Sequence, residues 1–313
     1  MNGVHAQSSS NVAPAWPDRP VTVVVGFPPG GSADFAARTL ANHMQATLGQ
    51  PFVVQNRGGA NGALAAAQVK RAAPDGYTLF VSSIGTFVTV PHLMKAPGYD
   101  PTKDFDYISV PFEVPNVLVT GPAQPTRSVA EVVALLKKSP RQISFASSGN
   151  GASDHLGAEL FWRQTGVEGL HVPYKGFGPA LSDVLGGQVD FLLSSVNVLL
   201  PHIASGKLHA LAVTDNVRSP VLPNVPTFAE AGIPGMEISA WQGLVAPAGL
   251  SPAVKKKISD AAIAAMRDPA TVERLTKLGL KIVANTPEEF TAFQQREYVR
   301  WRTLIKERKI TAD

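Results

Sequence analysis

The chain is expected to fold as an α/β protein made of two doubly wound units with a cleft between them. Three observations lead there. Strand-like runs alternate with helical runs along nearly the whole chain, the order that produces parallel sheets covered by helices. A strand, a Gly/Ser loop and a helix start follow one another at residues 21–35, and the same arrangement returns around residues 147–153. Residues 121–125 and the strand-like stretch 238–247 read as crossings between the units. The implied division is a polar tail (1–15), a discontinuous first domain (16–119 and 238–313) and a second domain (120–237).

The first stretch, VTVVVGFPPGGSADF, is the one around which the rest is organised. Its β-branched opening, extended by Phe27, predicts a buried strand. Pro28, Pro29, Gly30 and Gly31 end that strand, and Ser32 is placed to cap a helix running through Ala36, Leu40 and Met44. Unpaired N–H groups and the helix dipole then meet at one loop, which suits a carboxylate or a phosphate. A second short strand spans residues 51–56, and a glycine-rich loop at 57–62 opens a helix reaching Arg71. Pro74-Asp75-Gly76 is a turn leading into the strand YTLFVSS, which ends near Ser83 and Thr86. A helix or turn at 88–94 and a surface loop follow. Two strand-like segments, 107–110 and 116–120, are separated by Pro111 and Pro115.

In the second unit, Ser128 and Glu131 predict a capping box. The strand QISFAS leads into the loop Ser147, Ser148, Gly149, Asn150, Gly151, Ala152, Ser153. A helix with Leu156, Leu160 and Phe161 on one face follows and stops at Gly166. Alternating strands and helices continue to residue 213, with Lys175 and Asp190 near strand ends, where α/β ligands are bound. The C-terminal part is helical, with Ser251-Pro252 as one helix start and Thr286 to Glu289 as a second capping box.

Composition and motifs exclude several functions. The net charge is only +4, and the basic residues are scattered apart from Lys255, Lys256 and Lys257, so a nucleic-acid surface is not expected. No apolar stretch approaches the roughly 18 residues needed to span a membrane. The loops lack the lysine of a phosphate-binding loop, and Gly149-Asn150-Gly151 lacks the third glycine of a dinucleotide fingerprint. The histidines show no metal spacing and there is no cysteine, so neither a metal nor a cofactor is expected. Asp154 and His155 are adjacent on a helix and point about 100° apart, which disfavours a triad with Ser148. Val4-His5-Ala6 before Gln7 looks like the small-residue end of an export cleavage site, and the lack of cysteine is compatible with export.

Several motifs occur here in a recognisable order. They are PVTVVVGFPPGGSADFAAR, APDGYTL, SSGNGASDHL, VPYKGFGPAL, GGQVDF, GKLHALAV and WQGLVAPAG. Together they resemble the Bug (TctC-type) family of periplasmic solute-binding proteins, receptors of tripartite tricarboxylate transporters, from about Trp16 to the terminal helix. The resemblance implies a type II periplasmic binding protein fold, no enzymatic activity, and a bound organic carboxylate. It also implies a periplasmic, monomeric receptor that closes on its ligand and delivers it to membrane transporter subunits.

The grip expected from this resemblance, together with the loops above, falls on Phe27, Gly30, Gly31, Ser32, Ala33 and Asp34 in the first loop. In the second it falls on Ser147, Ser148, Gly149, Asn150, Gly151, Ser153 and His155. Ser83, Thr86, Lys175 and Asp190 complete the candidates. Phe27 and Pro29 stand where many members carry tyrosine and alanine, and neither loop holds Arg or Lys. The expected ligand is therefore an aromatic mono- or dicarboxylate such as terephthalate, its ring against Phe27 and against Phe87, Phe177 or Trp241. The alternative is a hydrolase on the same scaffold using Ser148 and His155.

Overall fold

The computed structural model describes residues 16–311, so the tail 1–15 and its cleavage-site motif lie outside the described residues. The first half begins with β1 (Val21–Val25), α1 (Ser32–Leu48), β2 (Phe52–Asn56), α2 (Ala63–Val69), β3 (Thr78–Ser83), α3 (Val90–Leu93) and β4 (Phe105–Ser109). β5 (Phe112–Thr120) leads to α4 (Val129–Lys138), β6 (Ser144–Ser147), α5 (Ser153–Thr165), β7 (Leu170–Pro173), α6 (Phe177–Leu185), β8 (Phe191–Ser195), α7 (Val196–Ala204) and β9 (His209–Val213). The chain returns through β10 (Ser239–Pro247) and ends with α8 (Pro252–Arg267), α9 (Pro269–Lys277), β11 (Lys281–Ile282) and α10 (Pro287–Arg308).

The strands run in the order β2-β1-β3-β10-β5-β8-β6-β7, with β4 on β10 and with β9 and β11 on β5. Two parallel sets result, β2-β1-β3 and β8-β6-β7. β10 and β5 lie antiparallel between them. The sheet is thus mixed where parallel pairing was expected, because a chain that leaves one set and returns must travel against it. β5 itself makes the outward crossing. Up to Pro115 it pairs with β10, and from Asn116 onward with β8. Pro115 does not interrupt the strand as its sequence suggests. It occupies the change of partner, where its missing N–H removes little from either ladder. Residues 121–125, read from sequence as the crossing, come after it.

Local signals explain four helix starts, those of α4, α8, α9 and α10. Ser251 accepts from the Val254 N–H, and Thr286 and Glu289 form a reciprocal capping box. At α4 the box is incomplete, since Ser128 accepts from the Glu131 N–H while the Glu131 carboxylate takes the Arg127 N–H. The long α10 touches both halves. Near its start Gln294 donates to the Phe87 carbonyl, and at its end Arg308 reaches Glu159 on α5 and Glu168.

Candidate binding site

The first loop leaves β1 at Gly26, where a Cβ would lie 2.5 Å from the Ser82 Oγ, so only glycine passes β3 this closely. The Phe27 carbonyl accepts from Asn56, and Gly30 adopts φ +85° in open space. Gly31, not Ser32, is the N-cap of α1, and no side chain caps this end. Ser32 is the first helical residue, a correction to the expected capping role. The first-turn N–H groups of an α-helix have no intrahelical acceptor. Those of Ser32, Ala33 and Asp34 therefore open toward the loop, while the Phe35 N–H is used by the Gly31 carbonyl.

Asp34 is buried, and its carboxylate is fully engaged. One oxygen takes the Gly30 N–H and the Arg38 Nε, both at 3.0 Å, and the other takes Asn56 Nδ2 at 2.9 Å. Burial pushes this carboxyl up, but the bonds from Arg38, Gly30 and Asn56 outweigh burial and hold it below the usual range. Asp34 shapes the loop, its carboxylate engaged by Gly30, Arg38 and Asn56.

The second loop spends its donors differently. Asp154 lies 3% exposed and receives the Ser148 N–H at 2.7 Å and its neighbour His155's N–H at 2.8 Å. The His155 Nδ1 accepts from the Gly151 N–H at 3.0 Å, and its Nε2 faces Glu159 at 3.7 Å. The His171 ring stacks on the His155 ring, centroids 3.7 Å apart, and its Nε2 meets the Ser147 hydroxyl at 2.6 Å. The Gly149 N–H points at the Ser147 Oγ. Burial pushes the Asp154 carboxyl up despite these bonds. Burial, with His155 beside it, pushes His171 down to about 3. Ser147, Gly149, Gly151 and His155 therefore build the loop, and their polar groups are engaged within it. Asn150 and Ser153 are half-buried on the same turn.

This arrangement also removes the hydrolase geometry. The His155 ring is held between Gly151 and Glu159, while Ser148 is tied to Asp154 through its N–H and its side chain. Neither is the other's hydrogen-bond partner.

The second loop borders the segment after β3. There the π-helical turn Gly85–Thr89 carries Thr89, whose hydroxyl donates to the Gly151 carbonyl at 2.8 Å. Thr86 is fully buried, bonded to the Asn61 carbonyl and the Ser82 hydroxyl, so it fixes the 57–62 loop and does not face the cleft. Ser83 is half-buried, and its hydroxyl accepts from the Gly85 N–H. Lys175 is exposed on a turn whose neighbours Tyr174 and Gly176 donate to the Ser147 and Ser148 carbonyls, which puts it at the rim of the second loop.

Asp190 is placed elsewhere. It precedes β8 and binds Ser144 at the amino end of β6, together with Gln124. In parallel strands that is the edge opposite the loops, and the sequence could not show which end of the strand Asp190 occupied. Two of the four aromatic candidates are likewise corrected. Phe87 and Trp241 are 0% and 1% exposed and stack on each other within the core. Phe27 and Phe177 are half-buried.

Asp154, Thr89, Glu159 and Arg308 went unnamed as site residues. An acidic residue in the first turn of each loop-bearing helix, Asp34 and Asp154, was the visible signal for one of them. Among the described residues, no cluster of three His, Cys, Asp or Glu is arranged for a metal, and no helix is long and apolar enough to cross a membrane.

Comparison with known proteins agrees with this architecture. Residues 36–310 match the TctC family, described as the tripartite tricarboxylate transporter family receptor. Protein BugT of Bordetella pertussis is 38% identical over 296 residues, covering 94% of this chain and 91% of BugT. An R. palustris protein solved with adipate superposes with a TM-score of 0.87 at 34% identity, covering 95% of this chain and 99% of that one. MatC from Rhodopseudomonas palustris with bound malate gives a TM-score of 0.84 at 34% identity, covering 93% and 100%. With the family match spanning most of its length, this chain belongs to the TctC family of tripartite tricarboxylate transporter receptors.

Proposed function

We propose that this chain is a monomeric periplasmic receptor that captures a small organic carboxylate and delivers it to the membrane subunits of a tripartite tricarboxylate-type transporter. The observation that carries this reading is the first turn of α1. Its N–H groups open beneath Gly31, and the one carboxylate there is already balanced by Arg38. A charge-assisted bond of this kind contributes roughly 1.5–3 kcal/mol, so a few suffice for micromolar affinity after ordering costs. Residues 16–119 with 238–313 form one domain and 120–237 the other. Bending of β5 and β10 closes them over the ligand. The adipate and malate held by two relatives support a short aliphatic carboxylate. An aromatic dicarboxylate such as terephthalate rests on Phe27 and Phe177, since Phe87 and Trp241 are enclosed.

A thermal-shift screen against adipate, malate, citrate, benzoate and terephthalate tests the reading. A ligand at about 100 times its Kd adds about 2.7 kcal/mol of stability, a shift well outside scatter. If no organic acid raises the melting temperature, the receptor reading is wrong. A response to citrate with none to either aromatic acid removes the terephthalate proposal.

A further inference from the structure

Asn-Gly occurs at residues 2–3, 61–62 and 150–151, the first of these outside the described residues. The chemistry latent in this dipeptide is intramolecular. The glycine amide nitrogen can attack the asparagine Cγ by closing a five-membered ring, and glycine places no Cβ in the way. What holds the reaction back is the proton on that nitrogen, since a neutral amide N–H is a weak nucleophile until a base takes its proton.

The two described copies differ in what receives that proton. At Asn61 the Gly62 N–H donates to the Gly59 carbonyl at 3.0 Å, a group too weakly basic to remove it. At Asn150 the Gly151 N–H donates to His155 Nδ1 at 3.0 Å. An Nδ1 that accepts carries no proton, so the ring proton of the neutral imidazole sits on Nε2, which faces Glu159 at 3.7 Å. Arg308 holds the other Glu159 oxygen at 2.7 Å. Burial pushes the Glu159 carboxyl up, but His155 and Arg308 outweigh burial and hold it below the usual range. Carboxylate, imidazole and nucleophile thus stand in the order of an oriented general base, with a backbone nitrogen where a hydroxyl would be. His155 is 3% exposed and His171 stacks on its ring, which fixes the imidazole in this position.

We propose that Asn150-Gly151 is a self-deamidation site at which His155 serves as the base. His155 Nδ1 takes the Gly151 amide proton as the nitrogen bonds to Asn150 Cγ. The proton passes on to the side-chain nitrogen, the bond from Cγ to that nitrogen breaks, and ammonia leaves behind a succinimide. Water then opens one or the other ring carbonyl, giving aspartate or isoaspartate at position 150. Water is the one co-reactant, and nothing is oxidised or reduced. Either product gives the second loop a negative charge that the encoded sequence lacks.

The test keeps the full chain in neutral buffer, with and without unfolding concentrations of urea, and samples it over days. Peptide mapping by mass spectrometry then reads aspartate and isoaspartate at each Asn-Gly separately. Asn150 should react at least about tenfold faster in the native chain than in urea, because the base is assembled only by folding. Asn61, whose neighbour is tied to a carbonyl, should react more slowly in the native chain than in urea. His155→Asn keeps a hydrogen-bond acceptor near the Nδ1 position without a base, and should slow the native reaction at Asn150 at least about tenfold. A native rate at Asn150 no faster than in urea overturns the proposal without any substitution. An unchanged native rate in His155→Asn overturns it as well, because the proton would then go elsewhere.

Discussion

The loops before α1 and α5 share a plan but differ in what their backbone donors do. Each follows a parallel strand, turns through glycine and carries an aspartate in the first turn of its helix. In the first, Asp34 takes a single loop N–H and shares its charge with Arg38, which leaves the first helical turn open to an anion. In the second, Asp154, His155 and the Ser147 hydroxyl draw in the loop N–H groups, and Thr89 fixes the Gly151 carbonyl from the other half. A helix N-terminus attracts anions only with the donors its own side chains leave unused. On the function proposed above, the first loop keeps its donors open for an anion, whereas the second is braced within the fold.

The sharpest way to break that contrast is at the glycines. Gly151 holds φ +76°, and a Cβ there would meet Leu93 at 2.4 Å and Thr89 Oγ1 at 3.1 Å. Gly151→Val should cost about 3 kcal/mol or more in urea denaturation, combining backbone strain with overpacking. At Gly31 the backbone is extended and the nearest atom is 3.9 Å away. Gly31→Val should therefore stay within about 1 kcal/mol of wild type while weakening ligand binding at least about tenfold, because its side chain fills the space above the open N–H groups. Equal destabilisation by both substitutions would remove the distinction between receiver and platform.

The arginines extend the comparison. Arg308 is 19% exposed at its side chain and serves Glu159 and both oxygens of Glu168. Arg308→Met should cost about 2–3 kcal/mol, since it leaves the buried Glu159 without its cation. The Arg38 side chain is 52% exposed, so Arg38→Met should cost less than about 1 kcal/mol. Denaturation curves for the two variants decide it, and the reverse order would mean that α10 does not brace the second loop.

At the aspartates, Asp34→Asn should lose about 2 kcal/mol, because an ionised acceptor with three donors is replaced by a neutral one. Asp154→Asn should lose less than about 1 kcal/mol, because removing a charge that burial disfavours offsets the lost acceptor. A larger loss at Asp154 would mean that its carboxylate, not its shape, holds the platform.

A last comparison is one of pH. His171 titrates at about 3 when folded, from burial and from its stacked neighbour His155, against about 6.5 unfolded. The unfolded chain then binds the extra proton, so this contribution is complete above about pH 6.5 and declines as pH falls toward 3. Between pH 7 and pH 5 the loss is about 1–2 kcal/mol. Melting temperatures of His171→Gln should fall less steeply over that interval; an unchanged slope would show that His171 is not the group responsible.

How much of this was legible depended on range. Strand runs such as VTVVV, the Ser251 cap and the Thr286–Glu289 capping box are written in neighbouring residues, and the structure contains them. So is the recurrence of strand, loop and helix start at Ser32 and Ser153. Ser32 was misjudged as a cap because its spacing does not reveal whether Gly31 or Ser32 takes the extended conformation. Phe87 and Trp241 looked like ligand aromatics because a buried aromatic and a cleft aromatic share the same composition. Asp190 sits one residue before a strand, and only pairing direction places it beside Ser144.

The order of amino acids by itself determined the alternation of elements, the two glycine loops and the membership these motifs signal, because each rests on contacts within a few residues. Tertiary structure alone decided which loop donors remain open, since His171, Thr89 and Arg308 come from distant segments. Hydrogen-bond satisfaction depends on which groups meet in space, and these residues meet only once the segments that carry them have packed together.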